Sequence, residues 1–133
     1  MHSFNTLIVE DDVDQSELIR LYLEDAFGDR VSVHEALTIE AAANLIDDTD
    51  FAVIIHDLYL PPWGPEEVSQ TYRKCSDVPI IAITGQTSPD LHRVAMANGA
   101  LGFCSKEDLG AGNIASIVTQ VAPQLLQADN DNS

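Results

Sequence analysis

The chain has 133 residues, 22 acidic against 6 basic side chains, a net charge of −16 and 45% hydrophobic residues. It is long enough for one domain with its own core, and its acidity argues against a nucleic-acid surface, which needs clustered Lys and Arg. No apolar run reaches the length of a membrane span, and no basic stretch precedes the first apolar segment as in a signal peptide, so the expected location is the cytoplasm.

In chain order, residues 6–10 (TLIVE) form an apolar strand ending in acid. Residues 13–27 read as a helix with Val13, Leu18, Leu21, Tyr22 and Leu23 along one side, stopped by Gly28 as a C-cap. A β-branched strand, 31–36, leads to a helix over 38–48 with Thr38 at the N-cap. The strand 51–57 (FAVIIHD) is hydrophobic throughout until His56 and Asp57, the pattern of a strand covered on both faces. A polar helix over 65–75 opens with Pro65 and two glutamates, which suit a helix N-terminus. A second buried strand, 79–84 (PIIAIT), precedes a helix over 88–99 capped by Ser88 and ended by Gly99. A short strand, 100–105, and a last helix, 109–127, follow, and residues 128–133 read as a disordered acidic and polar tail after a domain spanning 1–127. Cys75 and Cys104 share no metal-ligand spacing with each other or with the four histidines and read as reduced, packed thiols.

Five β–α units predict an α/β fold of flavodoxin-like kind: a doubly wound five-stranded parallel sheet, order 2-1-3-4-5, with helices on both faces. In such a sheet the functional crevice lies beyond the carboxyl ends of the strands. Glu10, Asp11 and Asp12 stand there after the first strand, Asp57 after the third, Thr84 after the fourth and Lys106, one of two lysines, after the fifth. Two like charges about 4 Å apart repel by roughly 4 kcal/mol at an effective dielectric near 20. Carboxylates gathered at one rim therefore need raised pKa values or a bound cation, and hard oxygen ligands suit Mg²⁺. Thr84 and Lys106 are placed to bond phosphoryl oxygens, and an aspartate beside a metal can act as nucleophile to form an aspartyl phosphate.

The series LIVEDD, HDLYLP, IIAITG and GALGFCSK, in this order at strand ends over residues 5 to 127, resembles the receiver domain of two-component response regulators. The resemblance implies Asp57 as phosphoacceptor. It implies Mg²⁺ (or Mn²⁺) on Glu10, Asp11, Asp57 and the main-chain carbonyl of Tyr59, Thr84 as switch hydroxyl, Lys106 as the phosphate-pairing lysine and Phe103 as switch aromatic. Asp12 is an extra acid, read as an N-cap for the first helix. The implied protein is a non-enzymatic phosphoacceptor switch, a single-domain regulator and a monomer or weak dimer. Its partners would be a histidine kinase or histidine phosphotransfer protein and a downstream protein target, met on a surface apolar around Ala95, Ala97, Ala100 and Leu101.

Departures from the family pattern keep rivals open. Glu107 replaces the usual proline after the lysine, and a non-proline cis bond costs about 3 kcal/mol more, so the loop would pose Lys106 differently. Gly64-Pro65, preceded by Trp63, replaces the usual Asp-Gly; Tyr59 and Gln86 stand where the family tunes phosphoryl lifetime. The rivals are a receiver-like interaction module that never carries phosphate and a receiver fragment of a longer hybrid kinase or regulator. An aspartate-based phosphotransferase or phosphatase lacks its usual second acid, since that position is Tyr59. A flavodoxin-type cofactor binder lacks a Ser/Thr-Gly-rich loop after the first strand. Alone, Glu10-Asp11-Asp12 also reads as a solvated helix start, Phe103 as a core aromatic and His56 as a packed histidine; His34 and His92 suggest no site.

Overall fold

The computed structural model describes residues 3–58, 64, 77–85, 89–97 and 99–125. The elements are β1 (Phe4–Val9), α1 (Val13–Phe27), β2 (Val31–Ala36), α2 (Ile39–Asp48), β3 (Val53–Asp57), β4 (Ile80–Thr84), α3 (Pro89–Ala97), β5 (Gly102–Ser105) and α4 (Ala111–Val121), with short 3-10 turns at Gly28–Arg30 and Lys106–Asp108. All strand pairs are parallel, in the order β2-β1-β3-β4-β5 expected from the sequence. The predicted helix over 65–75, the Ser88 cap, Cys75 and the tail lie outside the described residues.

Alternation along the strands divides the core. Phe4, Ile8, Val53, Ile55, Ile81 and Ile83 project to the side covered by α1 and α4, through Ile19, Leu23, Ile114 and Val118. Leu7, Val9, Ile54 and Ile80 project to the other side, beneath Ile39 and Ala42 of α2. A smaller cluster on that second side joins Leu58, Ala82, Ala95 and Ala100 beneath α3, with Phe103 packed against it. β3 and β4 are buried at every position, which is why their sequences run apolar without alternation.

Local signals place the helix ends. Asp12 caps α1, its side chain accepting from the Asp14 and Gln15 N–H groups at 3.0 and 3.2 Å, as the sequence suggested. Gly28 ends α1 at φ 60°, its N–H donating to the Glu24 carbonyl; a non-glycine residue is strained in that left-handed region. Thr38 caps α2 by accepting from the Ala41 N–H at 3.1 Å.

The buried side of α1 differs from the one expected. Ser16, Ile19 and Leu23 are buried, whereas Val13 (58%), Leu18 (39%) and Leu21 (53%) are exposed. Ser16, Ile19, Leu23 and Ala26 form an i, i+3, i+7 and i+10 stripe, and burying Ile19 and Leu23 contributes about 1.5–3 kcal/mol each.

Candidate functional site

Parallel pairing brings the carboxyl ends of β1, β3, β4 and β5 to one edge. Glu10 follows β1, and its N–H extends the ladder by donating to the Ala36 carbonyl at 3.1 Å. Asp57 ends β3 in register with Ile83, and Thr84 ends β4 in register with Ser105, the residue before Lys106. The register therefore assembles a site from residues up to 96 positions apart, Glu10 and Lys106 being its extremes.

Glu10 is fully buried, Asp57 and Thr84 nearly so, and Asp11 is exposed. One carboxylate oxygen from each of Glu10, Asp11 and Asp57 lies within 4.8 Å of the others, the group of acids among the described residues able to hold a metal ion. The Lys106 ammonium stands between two of them, 2.9 Å from Glu10 Oε2 and 3.0 Å from Asp57 Oδ2. Glu107 thus does not keep Lys106 from the site. The Asp12 N–H donates to Glu10 Oε1 at 3.2 Å, tying the start of α1 to the same carboxylate.

The electrostatics follow from burial and crowding. Burial pushes the Glu10 carboxyl up to about 7, with the Asp57 charge adding to the rise while Lys106 and the Asp12 N–H oppose it. Burial lowers the Lys106 ammonium, but the bonds and charges of Glu10 and Asp57 outweigh it and hold Lys106 above the ordinary lysine value. A single positive side chain between two carboxylates leaves the cluster net negative. Three oxygen donors, one of them on an exposed residue open to water, fit a small hard divalent cation that keeps part of its hydration shell.

The structure thus brings together Glu10, Asp11, Asp57 and Lys106, with Thr84 buried at the adjoining strand end. Asp12 turns to capping. The Tyr59 carbonyl, Trp63, Pro65 and Gln86 lie outside the described residues. His56 is buried on the far side of β3, its Nδ1 3.4 Å from the Asp57 carbonyl oxygen, and burial depresses its pKa to about 4, which keeps it neutral. Cys104 is a buried free cysteine whose thiol is pushed up by burial and by Asp108, a packed thiol of low reactivity. Of the apolar surface expected around α3 and β5, Ala97 and Leu101 are exposed while Ala95 and Ala100 are buried, and Met96 is exposed as well. His34 packs edge-on against Phe51. Sequence reasoning missed two contacts, the direct Lys106–Glu10 ion pair and a parallel stack of His92 on Phe103. The spacing of residues within one chain carries no sign of either, since both depend on strand register.

The family model for the response regulator receiver domain matches residues 6–118, and the chain belongs to that family. A search of curated protein sequences returns no match. Among solved structures, the Vibrio cholerae chemotaxis protein CheY4 superposes with a TM-score of 0.77 at 23% identity, over 90% of this chain and 98% of that one. A response regulator protein from Burkholderia pseudomallei, with a phosphorylated aspartic acid, calcium ion and citrate, gives 0.77 at 19% identity over 96% and 73%. The Saccharomyces cerevisiae complex of the histidine phosphotransfer signaling protein Ypd1 with the receiver domain of its downstream response regulator Ssk1 gives 0.77 at 20% over 93% and 92%. At these identities the likeness is one of fold.

Proposed function

We propose that Asp57 accepts a phosphoryl group from a phosphohistidine donor, a histidine kinase or histidine phosphotransfer protein, and that the modified chain then switches its contacts with a downstream protein. The observation that carries this reading is the convergence of Glu10 and Asp11 with Asp57 within 4.8 Å, together with Lys106 Nζ 3.0 Å from Asp57 Oδ2. Glu10, Asp11 and Asp57 would hold Mg²⁺, which supplies positive charge to the phosphoryl oxygens. A carboxylate oxygen of Asp57 attacks phosphorus, the P–N bond of the donor breaks, and its electron pair returns to the imidazole. Lys106 then has a phosphoryl oxygen to pair with in place of a carboxylate oxygen, and Thr84 stands one strand away to donate its hydroxyl.

Transfer replaces one negative charge on Asp57 by about two and adds three strong acceptors. That change draws on Thr84 and Lys106, at the ends of β4 and β5, and so reaches the surface formed by α3, β5 and α4, where Met96 and Leu101 are exposed. In this reading the chain carries the phosphoryl group on Asp57 as a switch rather than turning over a substrate as an enzyme. The relatives support this reading, one through its phosphorylated aspartic acid and calcium ion, another through its complex with a histidine phosphotransfer protein.

The test is intact mass after incubation with acetyl phosphate, with and without Mg²⁺, beside Asp57→Asn. One phosphoryl adduct on the wild type, lost without Mg²⁺ and in the variant, is expected. Absence of any adduct would instead support a phosphate-independent interaction module.

A further inference from the structure

Strand register sets Val9, His56, Ala82 and Phe103 in one row across the sheet. Residues of such a row project from the same face, and Thr84 lies two residues beyond Ala82 on that face. The Phe103 ring is half-buried. Its inner neighbours among the described residues are Leu58 and three alanines, Ala82, Ala95 and Ala100. Its outer neighbour is a ring: His92 of α3 lies parallel to it, centroids 4.6 Å apart and planes 10° from each other. His92 is itself exposed, so the stack bridges α3 and β5 at the surface and holds the aromatic ring on the solvent side of the alanine cluster.

We infer that the His92–Phe103 stack is a latch that opposes the signalling conformation. The inference rests on the proposed function. A phosphoryl group on Asp57 that draws the Thr84 hydroxyl toward itself vacates space on the face that Phe103 shares. Among the described residues on the inner side of the ring three of the four are alanines, whose small side chains oppose an inward movement little, so the contact with His92 weighs in its release. Moving inward separates the ring from His92, and the stacking free energy is lost in that state alone. A contact made in one of two states biases the equilibrium by its full strength. Aromatic pairs of this geometry shift such an equilibrium by about two- to tenfold.

The inference is tested by following His92 ring proton shifts and the rate of adduct formation in the full chain with acetyl phosphate and Mg²⁺. In the wild type the His92 ring signals should sit upfield, under the Phe103 ring current. They should move on phosphorylation toward their position in Phe103→Ala. His92→Ala should accelerate adduct formation about two- to tenfold. His92→Tyr, which keeps a ring, should stay near the wild-type rate, and adding His92→Ala to Phe103→Ala should change nothing further. Adduct formation with an unchanged rate in His92→Ala, or with unmoved His92 signals, overturns the latch alone. A wild type that takes no adduct overturns the functional reading and the latch with it.

Discussion

Replacing Lys106 with Met removes the positive side chain that pairs with both Glu10 and Asp57, and its cost can be worked from the geometry. At an effective dielectric near 20, the 2.9 and 3.0 Å contacts are each worth about 6 kcal/mol of attraction before desolvation. The carboxylates of Glu10 and Asp57, within 4.8 Å of each other, repel by roughly 3–4 kcal/mol. Without the ammonium, that repulsion stands, or one carboxyl takes a proton. Glu10, already pushed up to about 7 by burial, takes that proton at pH 7.5 for about 1 kcal/mol or less, so the loss comes chiefly from the broken Lys106–Asp57 contact. The expected loss of folding stability is about 2–4 kcal/mol at pH 7.5, in line with breaking other buried pairs. Because a carboxyl binds its proton more cheaply as pH falls, the loss should shrink to about 1–2 kcal/mol at pH 5.5. Urea unfolding followed by circular dichroism, in EDTA, measures this directly. Adding Asp57→Asn to Lys106→Met should recover at least half of the loss, because the Asp57 charge that Lys106 paired with is gone. A loss below about 0.5 kcal/mol, or strictly additive effects of the two substitutions, would refute the coupled charge cluster.

Other consequences are open to measurement. His56 titrates near 4 in the folded chain, below its ordinary 6.5, so the stability of its neutral form is complete above pH 6.5 and is lost as pH falls toward 4. The wild type should therefore lose up to about 3 kcal/mol relative to His56→Leu over that window; parallel pH profiles for the two proteins would contradict this. A Cβ at Gly102 would meet Ile117 at 3.0 Å and Ile81 and Val121 at 3.3 Å, so Gly102→Ala should destabilise by about 1–3 kcal/mol through overpacking between β5 and α4. An unchanged urea midpoint would show that α4 moves aside freely. Asp12→Ala removes the acceptor of two N–H groups and should cost about 1 kcal/mol, most visible as faster amide exchange at Asp14 and Gln15.

The sheet was legible because its inner strands, β3 and β4, are buried at every position. VIIHD and IIAIT run apolar up to the polar residues at their C-terminal ends, His56, Asp57 and Thr84, and parallel strands demand helices between them. The strand-end acids, Thr84 and Lys106 were legible for a related reason, since a carboxylate at the end of an apolar run stands out. The inner side of α1 was not. It carries apolar residues around most of its circumference, and the choice of Ile19 and Leu23 over Leu18 and Leu21 is made by the sheet beneath it, not by the helix. Nor was the pairing of Lys106 with Glu10. It depends on β5 and β1 ending at the same edge with β3 and β4 between them, a fact of register rather than of spacing. The His92–Phe103 stack lies in the same class: eleven positions apart in sequence, the rings meet because α3 lies against β5.

The central claim is that Asp57 is the phosphoacceptor, and peptide-level mapping tests it most directly. After incubation with acetyl phosphate and Mg²⁺, borohydride reduces an aspartyl phosphate to homoserine, which tandem mass spectrometry locates in the sequence. The account predicts homoserine at position 57 and nowhere else. Label at Asp11 or Asp12, or none at any aspartate under conditions that phosphorylate other receivers, would contradict it.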